Sequence, residues 1–115
     1  MAEIYSEENA SVFLKVFGFS PQLRLLDFFM DNPNHDFTRN EIMEAIGMAK
    51  RTLYEHISTL LEEGAVKVSR KIGRAELYTL NIDSPIVKCF EKVEEELTKP
   101  REIPSEQTEE IQVLR

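Results

Sequence analysis

Cysteine, histidine, glycine and long apolar runs are all scarce in this sequence, and each shortage removes a class of protein. The single cysteine, Cys89, rules out an internal disulfide. An acidic start, with Glu3, Glu7 and Glu8, stands where a secretory leader would carry basic and then apolar residues, so the chain reads as cytoplasmic. Neither histidine, His35 or His56, falls at metal-ligand spacing with the other or with Cys89, and no metal or cofactor is expected. No apolar stretch approaches the roughly 18 residues of a membrane span. Paired nucleophile and base, phosphate loop and paired carboxylates are also missing, which argues against an enzyme. Four glycines and five prolines in 115 residues, with 42% hydrophobic content, leave one helix-rich globular domain with appendages.

Positive charge is short as well: 14 lysines and arginines face 21 acids, a net charge of −7. Nucleic-acid affinity rests on cations that neutralise phosphates, so this total at first opposes a polyanionic partner. Distribution changes the reading. Residues 1–38 carry two basic and six acidic side chains and residues 81–115 five and nine, whereas residues 39–80 carry seven and six. The cations of that middle segment fall mainly in two clusters, Lys50-Arg51 and Arg70-Lys71-Arg74, while its acids are spread along helix faces.

Apolar periodicity predicts the elements. Val12, Phe13, Val16 and Phe17 predict a first helix near residues 7–17, ended by Gly18. Ser20-Pro21 opens a second, with Leu23, Leu25, Leu26, Phe28, Phe29 and Met30 making it the expected centre of the core before Asn32-Pro33 ends it. Thr38 and Glu41 form a capping box, with Phe37 and Ile42 at staple positions, and Gly47 ends that helix. Leu53, Ile57, Leu60 and Leu61 predict a helix from Ala49 to Glu63, stopped at Gly64. Alternation at Val66, Val68, Tyr78 and Leu80 about Ile72-Gly73-Arg74 predicts a hairpin. Pro85 opens a last helix whose Ile86, Phe90, Val93 and Leu97 form a coiled-coil-like seam, and residues 100–115 read as a flexible acidic tail with a weak apolar end at Ile111, Val113 and Leu114.

Helix, helix, glycine turn, helix, hairpin is the order of a winged helix-turn-helix, mainly α with a small β-hairpin (α+β), with flanking N- and C-terminal helices. Burial of Leu53, Ile57 and Leu60 leaves Lys50, Arg51, Thr52, Tyr54, Glu55 and Ser58 as the candidate DNA-reading set of the third helix. Lys50 and Arg51 sit in its first turn, where free amides and the helix dipole already favour a phosphate. Arg51 can pair with guanine O6 and N7, followed as base readers by Tyr54 and Ser58, while Lys50 suits phosphate. Glu55 can accept from cytosine N4 or repel the backbone and limit loose binding. Arg70, Lys71 and Arg74 of the hairpin, with Arg39 at the start of the preceding helix, complete the candidate set; the bland alternative for the tip is protection of a strand edge. Tyr54 can instead pack beside the preceding helix. His56 is expected in a structural hydrogen bond, and Cys89 as a small apolar filler near the last seam.

The stretch "EIMEAIGMAKRTLYEHISTLLEEGAVKVSRKIGRAELYTL", with its junction Leu61-Glu62-Glu63-Gly64-Ala65-Val66 and its tip "RKIGRAELYTL", resembles the winged helix-turn-helix transcription regulators of the ArsR and MarR type, especially small archaeal versions. The likeness spans Ser20 to Leu80. It implies a dimeric DNA-binding regulator with the third helix in the major groove and the wing on the backbone. The chain departs from that pattern at Ala49, where a serine cap is common, and at Glu55, where arginine is common. The expected organisation is an N-terminal helix over 1–19 for core or dimer packing, the DNA-binding domain over 20–82, a dimerisation helix over 83–99 carrying Ile86, Phe90, Val93 and Leu97, and the tail over 100–115. The expected function is sequence-specific binding of double-stranded DNA by a homodimer on an inverted repeat. An adaptor that binds a basic protein surface is the alternative.

Overall fold

Helix starts and stops are fixed by local chemistry, and in the computed structural model, which describes residues 11–100, they fall close to the signals in the sequence. Helix α1 spans Val12–Phe17, α2 Pro21–Asp31, α3 Arg39–Ile46, α4 Lys50–Glu62 and α5 Pro85–Thr98, with strands β1 Val66–Ile72 and β2 Ala75–Leu80 between the last two helices. Ser20 accepts from the Leu23 amide at 3.2 Å, and Pro21 begins α2 where its missing N–H is not needed. The capping box of α3 is closed in both directions: the Glu41 amide donates to Thr38 Oγ1 at 3.2 Å, and the Thr38 amide donates to Glu41 Oε1 at 2.8 Å. Gly47 takes the left-handed conformation, φ 64°, that ends α3 and lets α4 begin three residues later. Arg24 of α2 donates to the Ile46 carbonyl at 2.7 Å, satisfying an orphan acceptor of that helix end.

The core forms where α2 is surrounded. Leu25, Leu26, Phe28 and Phe29 meet Ile42 and Ile46 of α3, Leu53, Ile57 and Leu60 of α4, and Val66, Tyr78 and Leu80 of the hairpin. The strands pair antiparallel from Val66 with Leu80 to Ile72 with Ala75, with Ser69 as the extra residue of a bulge between Val68 and Arg70. Gly73, φ 61°, supplies the positive dihedral of the two-residue turn. An unforeseen contact extends this sheet: Phe37, just before α3, exchanges both backbone hydrogen bonds with Tyr78, at 2.9 and 2.8 Å.

The terminal helices depart from expectation. Helix α1 buries Phe13 and Leu14, and Val12, Val16 and Phe17 of the expected stripe stand exposed. A six-residue helix capped by Ser11 presents one narrow side to its neighbours, and that side faces α5, where the Phe13 and Phe90 rings meet edge-on at 5.7 Å. The expected start of this helix, residues 7–10, lies outside the described residues, as do residues 101–115 of the expected tail. On α5 the buried residue is Val87, while Ile86 is exposed; Phe90, Val93 and Leu97 are partly covered by α1 of the same chain. Cys89 is exposed, not an apolar filler, because it lies one residue off the Phe90 side that faces α1. No helix among the described residues is long and apolar enough to cross a membrane.

One buried charge stands out in α2. Asp27 is fully buried, accepts from Ser11 Oγ at 3.0 Å through one carboxylate oxygen, and has no hydrogen-bond partner for the other. Burial first, and then the neighbouring Asp31, push its pKa up to about 7, against the lowering effect of Ser11; Glu94 of α5 adds to the rise. Partial desolvation also raises Asp31, whose outer side stays exposed, and Glu94. The folded protein therefore holds more protons than the unfolded chain between about pH 4 and 7. That stability is fully present below the unfolded value and is lost as pH rises through about 7. In buffer free of divalent ions, unfolding stability is expected to fall by about 2 kcal/mol from pH 5 to pH 8. Asp27→Asn is expected to flatten the profile and raise the melting temperature at pH 8, as thermal unfolding monitored by circular dichroism will test.

Candidate nucleic-acid interface

The outward side of α4 is polar because its inward side is committed to the core. With Leu53, Ile57 and Leu60 buried, Lys50, Arg51, Tyr54, Glu55 and Ser58 are exposed and Thr52 is half-buried. Ala49, the residue before α4, makes no side-chain cap, so no local hydroxyl occupies the first-turn amides. Arg51 Nε lies 3.5 Å from Glu55 Oε1, one turn along, and both side chains remain largely solvated. Ser58 donates to the Tyr54 carbonyl at 2.9 Å, which leaves its oxygen able to accept. Lys50 Nζ sits 5.6 Å from the centroid of the Tyr54 ring.

Arg39 occupies a more interior place than its position in the sequence implies. Its guanidinium carbon lies 4.6 Å from the Tyr54 ring centroid and 5.0 Å from that of Tyr78, and Nη2 is 3.9 Å from Glu76 Oε1. The planar cation is thus wedged between α4 and the hairpin, in contact with an aromatic ring from each. Tyr78 donates to Glu76 Oε1 at 2.9 Å, and burial together with that bond pushes its phenol up to about 12. Above this wedge a cleft of about 130 Å³ is lined by Thr38, Arg39, Asn40, Tyr54, Arg74 and Glu76. Arg74, at the hairpin turn, and Tyr54, on α4, are brought to one place although twenty residues separate them.

Several of the cations expected to meet a polyanion already face carboxylates. Arg70 grips Asp36 with Nε at 2.8 Å and Nη2 at 3.3 Å, and Ser69 donates to the same carboxylate at 2.6 Å. Those hydrogen bonds hold Asp36 below the ordinary carboxylate range. Lys71 Nζ lies 3.8 Å from Glu76, which also serves Arg39. Lys50, Lys67 and Arg74 carry no ion pair among the described residues. Asp36 was absent from the sequence-based set, and no local signal marks it, since it is 34 residues from its partner. Solvent-facing pairs of this kind are weak. His56, as expected, makes a structural bond, its Nδ1 donating to Gln22 Oε1 at 2.7 Å.

Solved structures with this fold exist. Reduced HlyU from Vibrio cholerae is similar at 24% identity and a TM-score of 0.54, covering 77% of this chain and 87% of its own. MepR, a transcription regulator of the Staphylococcus aureus multidrug efflux pump MepA, gives a TM-score of 0.57 at 15% identity, with 89% and 78% covered. A MepR variant solved with an oligodeoxyribonucleotide gives 0.54 at 14% identity, with 90% and 78% covered. The fold is a winged helix. Helices α3 and α4 are its helix-turn-helix and the β1–β2 hairpin is its wing. No family model and no curated protein matches the chain.

Within this winged helix, Arg39 joins the wing to α4. Arg39→Ala is expected to lower unfolding stability by about 1 kcal/mol, from two lost ring contacts and a long ion pair. It should also broaden the amide resonances of residues 70–76 in solution NMR, whereas Lys67→Ala should do neither.

Proposed function

We propose that this chain is a transcription regulator of the ArsR/MarR type that binds double-stranded DNA sequence-specifically, acting as a homodimer on an inverted repeat. One observation carries the reading: Lys50, Tyr54 and Arg74 form a continuous exposed surface from the first turn of α4, across the cleft, to the wing tip. In this reading α4 enters the major groove, where Arg51 exchanges Glu55 for a guanine edge and Ser58 accepts at the next base. Lys50 and Arg74 hold phosphates on either side, and Arg70 and Lys71 join them when Asp36 and Glu76 are displaced. The oligodeoxyribonucleotide complex of the MepR variant lends support through the shared fold. Exposed Val12, Val16 and Phe17 on α1, with Ile86 on α5, support a two-fold partner, which would set the paired α4 helices about 34 Å apart.

A second reading has its own support. The net charge of −7 and the carboxylates beside Arg39, Arg51, Arg70 and Lys71 also suit an adaptor that docks on a basic protein surface. Selection from a random duplex pool separates the two, since a DNA regulator enriches a palindrome and an adaptor enriches nothing.

Salt-dependent affinity for the selected duplex then tests the roles. Arg74→Ala and Lys50→Ala are each expected to weaken binding to all sequences and to reduce the salt slope by about 1. Arg51→Ala is expected to cost about 1–3 kcal/mol on the best site and to relax preference at one base pair. Unchanged slopes in all three variants would refute the assignment.

A further inference from the structure

The acidic cluster between α2 and α5 is chemically incomplete. Asp27 and Asp31 lie one turn apart on α2, Glu94 projects from α5, and a carboxylate oxygen from each falls within 4.8 Å of the others. None of the three makes an ion pair among the described residues. The unsatisfied atoms are the telling ones. Asp27 is fully buried with one oxygen unpartnered, and Glu94 Oε2 is likewise buried without a partner. A buried carboxylate oxygen with no donor is costly, and natural proteins keep one where an ion, a water or a proton meets it.

We propose that Asp27, Asp31 and Glu94 bind one hard divalent cation, of the calcium or manganese class, which ties α5 to α2. Oxygen ligands lie about 2.1–2.5 Å from such ions, so two of them on opposite sides of one ion are separated by up to about 5 Å, which accommodates the observed spacing. Three carboxylates and no sulfur or imidazole select against zinc. Asp31 is exposed, which leaves one side of the site open to the waters that complete the shell. Ser11, which donates to Asp27 Oδ1, places the start of α1 beside the cluster, so occupancy stiffens the α1–α5 pair.

The test uses the full chain stripped with EDTA, titrated at pH 7.5 with MnCl₂, CaCl₂ or MgCl₂. Calorimetry is expected to show one ion per chain for Mn²⁺ or Ca²⁺, and 1 mM of that ion is expected to raise the melting temperature by about 5 °C or more. Asp27→Asn and Glu94→Gln should abolish both responses while keeping the helical circular-dichroism spectrum, and binding of Mn²⁺ to the unsubstituted chain should quench its free-ion electron paramagnetic resonance signal. The proposal is overturned if none of the three ions shifts melting at 10 mM, which would mean that the cluster holds protons only. It is equally overturned if the substituted chains respond as the unsubstituted one does.

Discussion

The candidate interface depends on Tyr78. Its backbone pairs with Phe37 on one side and with Val68 on the other, so the wing is anchored to the segment that starts α3. Its ring, fully buried, supplies a floor for Arg39, whose guanidinium also lies over the ring of Tyr54 of α4. Three elements distant in sequence are thereby held at one spacing, and the cleft between Tyr54 and Arg74 exists because that spacing is held. A positively charged strut at this point is tolerable because Glu76 compensates it and two ring faces accept it.

Electrostatics at the surface is a balance between display and self-neutralisation. Among the cations of α3, α4 and the hairpin, Arg39, Arg51, Arg70 and Lys71 each have Asp36, Glu55 or Glu76 close enough to hold them. In solvent these pairs are weak, so they organise side chains without burying their charge. A phosphate competing for Arg70 gains a bidentate partner of the same geometry that Asp36 provides.

The other half of the molecule follows a different logic. Helices α1 and α5 share a small aromatic cluster, and their remaining apolar residues, Val12, Val16, Phe17 and Ile86, are left facing outward. Asp27 and Asp31 of α2 meet Glu94 of α5 there, and none of the three makes an ion pair among the described residues. Helix α2 is therefore apolar toward α3 and α4 and acidic toward α5, a division invisible to a one-dimensional count of hydrophobic positions.

Local signals in the sequence determined the helix caps, the glycine stops, the hairpin turn and the inward set Ile42, Ile46, Leu53, Ile57 and Leu60, because capping, left-handed φ and amphipathic period each act within a few residues. They also determined which side chains of α4 face outward. What only the tertiary structure decided involves partners far apart in the chain: the Phe37–Tyr78 bridge, the wedge of Arg39 between two rings, the Asp36 grip on Arg70, the inward turn of Leu14 in place of Val16, and the buried Asp27 beside Glu94. Those contacts depend on how elements pack, and periodicity within one element fixes which face is apolar without fixing which neighbour, or which charge, will cover it.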